Sequence, residues 1–102
     1  MSTFKDHQGR DIRLTDERLT HILEHPEMYG QEDRIRENLL TPESVIESET
    51  DASLQHFQKL YTETPVTRKF LMVAVKYVEQ DAFVVTAFYR EREKKGKKIW
   101  PP

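Results

Sequence analysis

The stretch RKFLMVAVKYVEQDAFVVTAFYR, residues 68–90, contains two apolar runs separated by a short polar turn. Both runs are rich in β-branched and aromatic residues, which favour strands. Because the connection at residues 79–81 is short, the runs are predicted to pair as an antiparallel hairpin. Two earlier runs, SVIES at residues 44–48 and LQHFQKLY at residues 54–61, extend the prediction to a four-stranded antiparallel meander.

Side chains alternate between the two faces of a strand, so the pattern predicts which residues share a face. One alternating set on each strand is apolar and is expected to face the helices: Leu71, Val73, Val75 and Tyr77, and Phe83, Val85, Ala87 and Tyr89. Lys76 then shares the other face with Thr86 and Arg90. The opposite register, with Lys76 beside Tyr89, is disfavoured because it separates the long cationic side chains.

The N-terminal half reads as a hairpin followed by two helices. Residues 4–14 alternate around Gly9, which is available for a turn. Apolar residues then recur at helical spacing in residues 16–25, a helix that Pro26 ends, and again in residues 31–40. The predicted fold class is therefore α+β, with the hairpin and both helices packed on a four-stranded antiparallel sheet.

Composition limits the classes of protein to consider. At 102 residues and 36% apolar content, residues 1–102 are expected to form one domain with a single core. The absence of cysteine excludes disulfides and thiolate chemistry and favours a cytoplasmic protein. No apolar run is long enough to span a bilayer, and the three glycines form no phosphate-binding loop, so neither a membrane nor a cofactor is expected.

Charge is distributed unevenly along the chain. Residues 1–50 contain 6 Lys/Arg and 12 Asp/Glu, a net charge of -6, whereas residues 51–102 contain 10 and 6, a net charge of +4. The basic excess lies mainly in the run YREREKKGKK, residues 89–98. Such a surface can attract a polyanion although the whole chain is slightly acidic, and the alternative is a solvated charge run.

His21 and His25 lie one helical turn apart, which is a spacing found in metal sites. The surrounding residues do not form the H-E-x-x-H pattern, and no cysteine or nearby third histidine completes a zinc site. The two imidazoles can instead interact favourably with the C-terminal end of the helix dipole. They can also act as general acids or bases, because histidine titrates near neutral pH.

A lysine within an apolar strand needs water, a partner or an anionic ligand for its charge, which makes Lys76 a candidate functional residue. The alternative is that it reaches solvent at the edge of the sheet. Thr86 is equally open to two interpretations, since threonine favours strands in any case. Together with Arg90 and a histidine, these residues can hold a phosphate and stabilise charge that develops on it, as a metal-free ribonuclease requires.

Several segments resemble one known group of proteins: HILEHPEM at 21–28, LLTPESVIES at 39–48, FLMVAVKYVEQDAFVVTAFY at 70–89 and KKGKKIW at 94–100. In this combination the chain resembles small phage and bacterial domains of the barnase, EndoU, colicin and RelE superfamily of metal-independent ribonucleases. The resemblance extends over residues 10–100. It implies a RelE- or barnase-like fold without metal or cofactor.

The resemblance also implies a catalytic site that combines a helix histidine, a basic strand residue and a hydroxyl on the last strand. These positions correspond here to His21 or His25, Lys76 and Thr86.

Expected RNA- or phosphate-binding residues are Lys59, Arg90, Lys95 and Lys97. Members of the group often have an arginine after an aromatic pair on the second strand, where this chain has HFQK, so Lys59 or His56 would take its place.

By this resemblance the protein is expected to be an endoribonuclease that leaves a cyclic phosphate, either a toxin with a cognate antitoxin or a phage-derived effector. The alternative is an inert module that binds RNA or a protein through the same fold, because fold alone does not establish catalysis.

Overall fold

The computed structural model describes residues 1–102. No helix in it is both long enough and apolar enough to cross a membrane. A short 3₁₀ helix, Pro26–Met28, lies between the two α-helices. The remaining elements are β1 (Ser2–Lys5), β2 (Asp11–Leu14), α1 (Asp16–Ile22), α2 (Glu32–Leu40), β3 (Ser44–Glu47), β4 (Leu54–Tyr61), β5 (Lys69–Val78), β6 (Asp81–Arg90) and β7 (Lys97–Trp100).

All seven strands form one sheet in the order β1-β2-β6-β5-β4-β3-β7. The β2–β6 pair is parallel and the other pairs are antiparallel. The α+β class is therefore correct, but the predicted four-stranded antiparallel sheet is wrong. The N-terminal hairpin adds to the sheet next to β6 instead of packing on it, and β7 adds to the far edge, next to β3.

A bidentate ion pair accompanies the parallel junction of the hairpin with β6. The pairing itself is a single bridge between Arg13 and Phe83. The Arg13 guanidinium donates from Nε to Asp81 Oδ1 over 2.9 Å and from Nη2 to Asp81 Oδ2 over 2.6 Å. These hydrogen bonds hold the pKa of Asp81 below its ordinary value and raise that of Arg13. The charged pair thus supports a junction that has few backbone hydrogen bonds.

Thr15 caps the start of α1, and the helix is shorter than the sequence predicts. The Thr15 side chain accepts a hydrogen bond from the Arg18 backbone N–H at 3.2 Å, which is N-cap geometry. The helix ends at Ile22, three residues before the predicted end, and His25 is extended because Pro26 follows it.

The larger core lies between α2 and one face of the sheet, which we call the helix face. Ile35 and Leu39 of α2 are buried against strand residues that alternate along the central strands. Val73 of β5 lies opposite Phe57 of β4, and both are fully buried. Fixed alternation places the intervening residues of these strands on the other face.

A β-bulge in β6 corrects the predicted alternation of that strand. Val75 lies opposite Val84 while Ala74 lies opposite Thr86, so Val85 is an extra residue without a partner. As a result Ala82 and Val84 are buried on the helix face in place of the predicted Phe83 and Val85, and Ala87 and Tyr89 are buried there as predicted.

The other face, which we call the tail face, carries a second buried layer. Met72 and Ala74 of β5 and Ile46 of β3 are almost inaccessible to solvent although they point away from the helices. Residues 91–96, which we call the strap, run across this face between β6 and β7. Gly96 ends the strap with φ of +150°, a conformation that favours glycine.

Candidate functional site

A histidine and a threonine lie in one row across the tail face. His56 of β4 is opposite Ala74 of β5, and Ala74 is opposite Thr86 of β6. Two strand spacings separate the Cα atoms of His56 and Thr86 by about 10 Å. Only the methyl group of Ala74, which is almost inaccessible to solvent, lies between the imidazole and the hydroxyl.

Burial and nearby cations control the protonation of His56. The residue is only 9% exposed, and its Nδ1 has no hydrogen-bond partner. Burial lowers the pKa of His56 below its ordinary value, and the positive charges of Lys94 and Arg90 lower it further, against the opposite effect of a hydrogen bond with the Ile46 backbone. The neutral imidazole is therefore favoured near pH 7, and its Nδ1 is buried away from solvent.

Gln58 holds the strap in place on the tail face. Its side-chain Oε1 accepts from the Lys94 backbone N–H at 2.5 Å, and its Nε2 donates to the Lys94 carbonyl at 3.1 Å. Nε2 also lies 3.4 Å from Ser44 Oγ, which in turn donates to Glu93 at 3.2 Å. Gln58 is 1% exposed, so its amide groups depend on these partners. These hydrogen bonds from Gln58 to Lys94, which we call the clamp, fix the backbone from which the Lys94 side chain extends.

Lys76 lies on the tail face, as the alternation predicts, but it has an ionic partner. It opposes Phe83, one row beyond Thr86, and its ammonium donates to Asp51. Hydrogen bonds from Lys76 and then from Ser53 lower the pKa of Asp51 to about 2. The carboxylate is therefore ionised at neutral pH and largely neutralises the charge of Lys76.

Arg90 lies on the same face as Lys76 but far along the strands. It opposes Phe70, which is six residues from Lys76 on β5. Six residues of strand span about 20 Å, so the two cations are not placed to hold the same phosphate. Thr86 is closer to Arg90, about 13 Å along β6, and lies in the same row as His56.

The two histidines of the HILEH motif are in different environments. His25 reaches the tail face at the edge of β6, where its ring centroid is 5.7 Å from that of Phe88. Phe88 lies between Thr86 and Arg90 on that face. His21 is about half exposed, with its Nδ1 3.9 Å from Glu24, and makes no hydrogen bond to any of these residues. Of the two histidines, only His25 therefore lies against the tail face, beside Phe88.

The three lysines that are expected to bind phosphate, Lys59, Lys95 and Lys97, are in different environments. Lys59 points to the helix face, where its Nζ donates to the carbonyl (2.5 Å) and hydroxyl (2.9 Å) of Thr41 at the end of α2. Lys97 Nζ lies 3.6 Å from the Glu47 carboxylate across the β3–β7 pair. Lys95 is exposed on the strap. The structure does not gather these three lysines around His56.

A cavity of about 250 Å³ adjoins the strap. Its walls are polar throughout and come from two segments, the end of β3 with the following turn and the strap itself. The lining residues are Glu47, Ser48, Glu49, Thr50, Lys94 and Lys95.

Three participants of this region were not identified as such from the sequence: Asp51, Gln58 and Lys94. Asp51 lies in a polar turn and Gln58 in a strand whose alternation is otherwise unremarkable, so their partners depend on tertiary contacts. The only sequence signal for Lys94 was its place in the basic run. No group of three or more His, Cys, Asp or Glu side chains is close enough together to hold a metal ion.

Comparison of the chain with family models, curated proteins and solved structures finds no match. The chemistry of the tail face is therefore the basis for inferring a function.

Proposed function

We propose that the tail face binds the phosphodiester backbone of RNA and that the protein is a metal-independent endoribonuclease. The observation that carries this proposal is the cluster around His56. The buried imidazole of His56 favours its neutral form and is influenced by two cations, Arg90 and Lys94. It lies in the same row as the Thr86 hydroxyl. This combination provides a proton acceptor and charge stabilisation for a phosphate.

Arg90 and Lys94 hold the scissile phosphate in this proposal. Arginine and lysine form charge-assisted hydrogen bonds with phosphate oxygens, and the attraction strengthens as charge develops in the transition state. Neither side chain forms an ion pair within the protein, so both are available to an anion. The Thr86 hydroxyl supplies a neutral donor from the row of His56.

Two histidines flank this phosphate position, His56 on the β4 side and His25 at the β6 edge. His56 accepts the proton of the ribose 2′-hydroxyl as its oxygen attacks phosphorus. The bond from phosphorus to the 5′-oxygen breaks, and His25 donates a proton to that leaving oxygen. The products are a 2′,3′-cyclic phosphate and a 5′-hydroxyl, and every proton and electron pair is accounted for.

Lys76 is outside this chemical step because its charge is matched by Asp51. Its proposed contribution is to hold the turn after β3 against β5. Lys59 is likewise outside, since it bonds to the end of α2.

The test is cleavage of end-labelled single-stranded RNA in EDTA, with the 3′ ends of the products identified as cyclic phosphates. His56→Gln and His25→Ala are each expected to reduce the rate by about 10²- to 10⁴-fold, as for lost general acid–base groups. His21→Ala is the matched control, because it removes a histidine from the same segment without touching the tail face, and should retain activity. Equal activity in the His21 and His25 variants would remove His25 from the mechanism.

An inert RNA-binding module is the second candidate, and one observation favours it. His56 is only 9% exposed, so access of a ribose to its ring requires movement of neighbouring groups. Binding without any cleavage by the wild-type protein would support this alternative and refute the ribonuclease. Arg90→Ala and Lys94→Ala should then each weaken RNA binding and reduce the slope of log affinity against log salt by about one.

A toxin or phage-derived effector is the proposed cellular role if cleavage is found. Induced expression of the wild-type chain should then slow growth of the host cell, and the His56→Gln variant should not. A co-expressed antitoxin would be recognised by restoring growth. Normal growth under strong expression of an active protein would contradict the toxin role while leaving the RNA-cleaving activity intact.

A further inference from the structure

His56 is buried on a face of the sheet that has no helix. Both α-helices pack on the helix face, yet His56 on the tail face is only 9% exposed. The strap contacts the sheet on both sides of this residue. Gln58, two residues further along β4, bonds Lys94, and Gly96 lies against Ile46, which is directly opposite His56. The strap therefore covers His56 on the tail face.

Polar contacts alone attach the strap to the sheet. Its sequence, EREKKG, contains no apolar residue, and every residue except Lys94 is exposed. The clamp from Gln58 holds it at 2.5 and 3.1 Å, and Ser44 donates to the Glu93 carboxylate at 3.2 Å. Water can replace these hydrogen bonds when the strap lifts, and no apolar side chain of the strap has to leave the core. Detachment of the strap therefore costs much less than unfolding of the sheet.

The strap has fixed ends, a hinge and room to move. The pairing of β6 with β5 anchors one end, and the pairing of β7 with β3 anchors the other. Gly96 joins the strap to β7 with φ of +150°, and glycine changes its backbone angles at lower steric cost than other residues. The cavity of about 250 Å³ separates Lys94 and Lys95 from the turn after β3, so the strap is not wedged against that turn.

We propose that the strap is a gate that controls access to His56. The structure is the closed state, in which the strap covers the imidazole. In the open state the strap swings about Gly96 while β6 and β7 stay in the sheet, and the His56 ring meets solvent. The apparent affinity of any ligand that needs this ring is then reduced in proportion to the fraction of open molecules.

Control of RNA cleavage by this gate rests on the proposed function, in which His56 accepts the proton of the ribose hydroxyl. A ribose reaches the ring only when the strap is open, so the open fraction limits the rate at low RNA concentration. Access of a small reagent to the His56 ring does not depend on that function.

The experiment locks the strap with a disulfide and measures the exposure of His56. The chain contains no cysteine, so Ser44→Cys/Glu93→Cys can form only one disulfide within a molecule, at a contact that closes the strap. Diethyl pyrocarbonate modifies accessible neutral imidazoles, and mass spectrometry resolves the four histidines. His56 is expected to react slowly in the wild type, and about tenfold or more slowly again in the oxidised double variant.

Two controls accompany the locked variant. Glu93→Cys alone has no cysteine partner and should not slow the reaction of His56. His21, which is about half exposed and makes no hydrogen bond to the strap, is the internal reference and should react at the same rate in every protein.

Release of the clamp should have the opposite effect. Gln58→Met removes both hydrogen bonds to Lys94, so His56 should react about fivefold or more faster than in the wild type. Gln55→Met lies on the same strand but points to the helix face, and it should leave the rate unchanged.

An unreactive His56 in the wild type would overturn the gate, because the strap then does not open. Equal rates in the locked variant and the wild type, or in the Gln58 and Gln55 variants, would overturn it as well. A cysteine pair that forms no disulfide would contradict the contact that closes the strap.

The outcome is separate from that of the cleavage assay. If locking protects His56 but the wild type cleaves no RNA, the gate stands and the ribonuclease proposal fails. If the locked variant cleaves RNA as fast as its reduced form, the ribonuclease proposal stands and the gate fails.

Discussion

Replacement of Gln58 by methionine tests how firmly the strap is attached to the sheet. Methionine has a similar length and volume, so the substitution removes the amide without opening a cavity. The Lys94 backbone N–H and carbonyl then lose their partners at 2.5 and 3.1 Å. The Ser44 contact at 3.4 Å is near the limit of a hydrogen bond and contributes little.

The magnitude follows from these two hydrogen bonds. Each contributes about 1 kcal/mol net, so the free energy of unfolding should fall by about 2 kcal/mol. Because Lys94 is half-buried, water can replace part of the loss, which sets a lower bound of about 1 kcal/mol. In a domain of about 100 residues, 2 kcal/mol corresponds to a fall in Tm of about 8 to 16 °C.

The assay is urea denaturation of Gln58→Met beside Gln55→Met. Gln55 lies on the same strand, points to the helix face, is half-buried and makes no side-chain hydrogen bond, so it controls for the change in side-chain chemistry. Amide hydrogen exchange in the β3–β7 ladder should also speed up in the Gln58 variant alone. If the two variants lie within about 0.5 kcal/mol of each other, the clamp does not stabilise the strap.

Three further outcomes are expected. Asp51→Asn should flatten the dependence of the free energy of unfolding on pH. The pKa of Asp51 is about 2, below its ordinary 3.8, so its ionised form stabilises the fold above about pH 4 and this stabilisation is lost as pH falls towards 2. Urea unfolding across this range measures the difference between the variant and the wild type. Gly96→Ala should cost about 1–3 kcal/mol in thermal unfolding, since the backbone is strained for alanine and the new Cβ would lie 2.8 Å from Cγ2 of Ile46. Lys94→Ala should raise the pKa of His56 towards its ordinary value without fully restoring it, because burial is the larger cause. NMR titration of the His56 ring measures this shift, and an unchanged pKa would show that the Lys94 charge does not act on the ring.

Local patterns predicted most elements but not the whole sheet. The hairpin around Gly9, both helices and strands β3 to β6 each carry a periodic or alternating signal within a few residues. The parallel contact between Arg13 and Phe83 joins residues 70 positions apart, and no local pattern encodes it. Strand β7 has the sequence KKIW and is mostly exposed, so it resembles a charged tail until its pairing with β3 is known.

The candidate site was predictable to the extent that alternation determines it. Placing Lys76, Thr86 and Arg90 on one face needs only the period of a strand. The ionic partner of Lys76 and the clamp from Gln58 to the strap depend on side chains from separate segments, which alternation does not relate. Sequence therefore indicated the face, and only tertiary contacts indicate which cations on that face are unpaired.

The bulge at Val85 also makes β6 unusually tolerant of a shorter chain at one position. Removal of Val85 would leave Thr86 opposite Ala74 and Val84 opposite Val75, so every cross-strand partner and both faces would be conserved. Because residue 84 is also a valine, loss of either valine gives the same chain. A deletion away from the bulge, for example of Phe88, would instead change the faces of the residues between the deletion and the bulge and turn Thr86 towards the core. The effect of a one-residue deletion in β6 therefore depends on where it falls relative to the bulge. A natural variant lacking this valine would keep the same fold with a straighter strand.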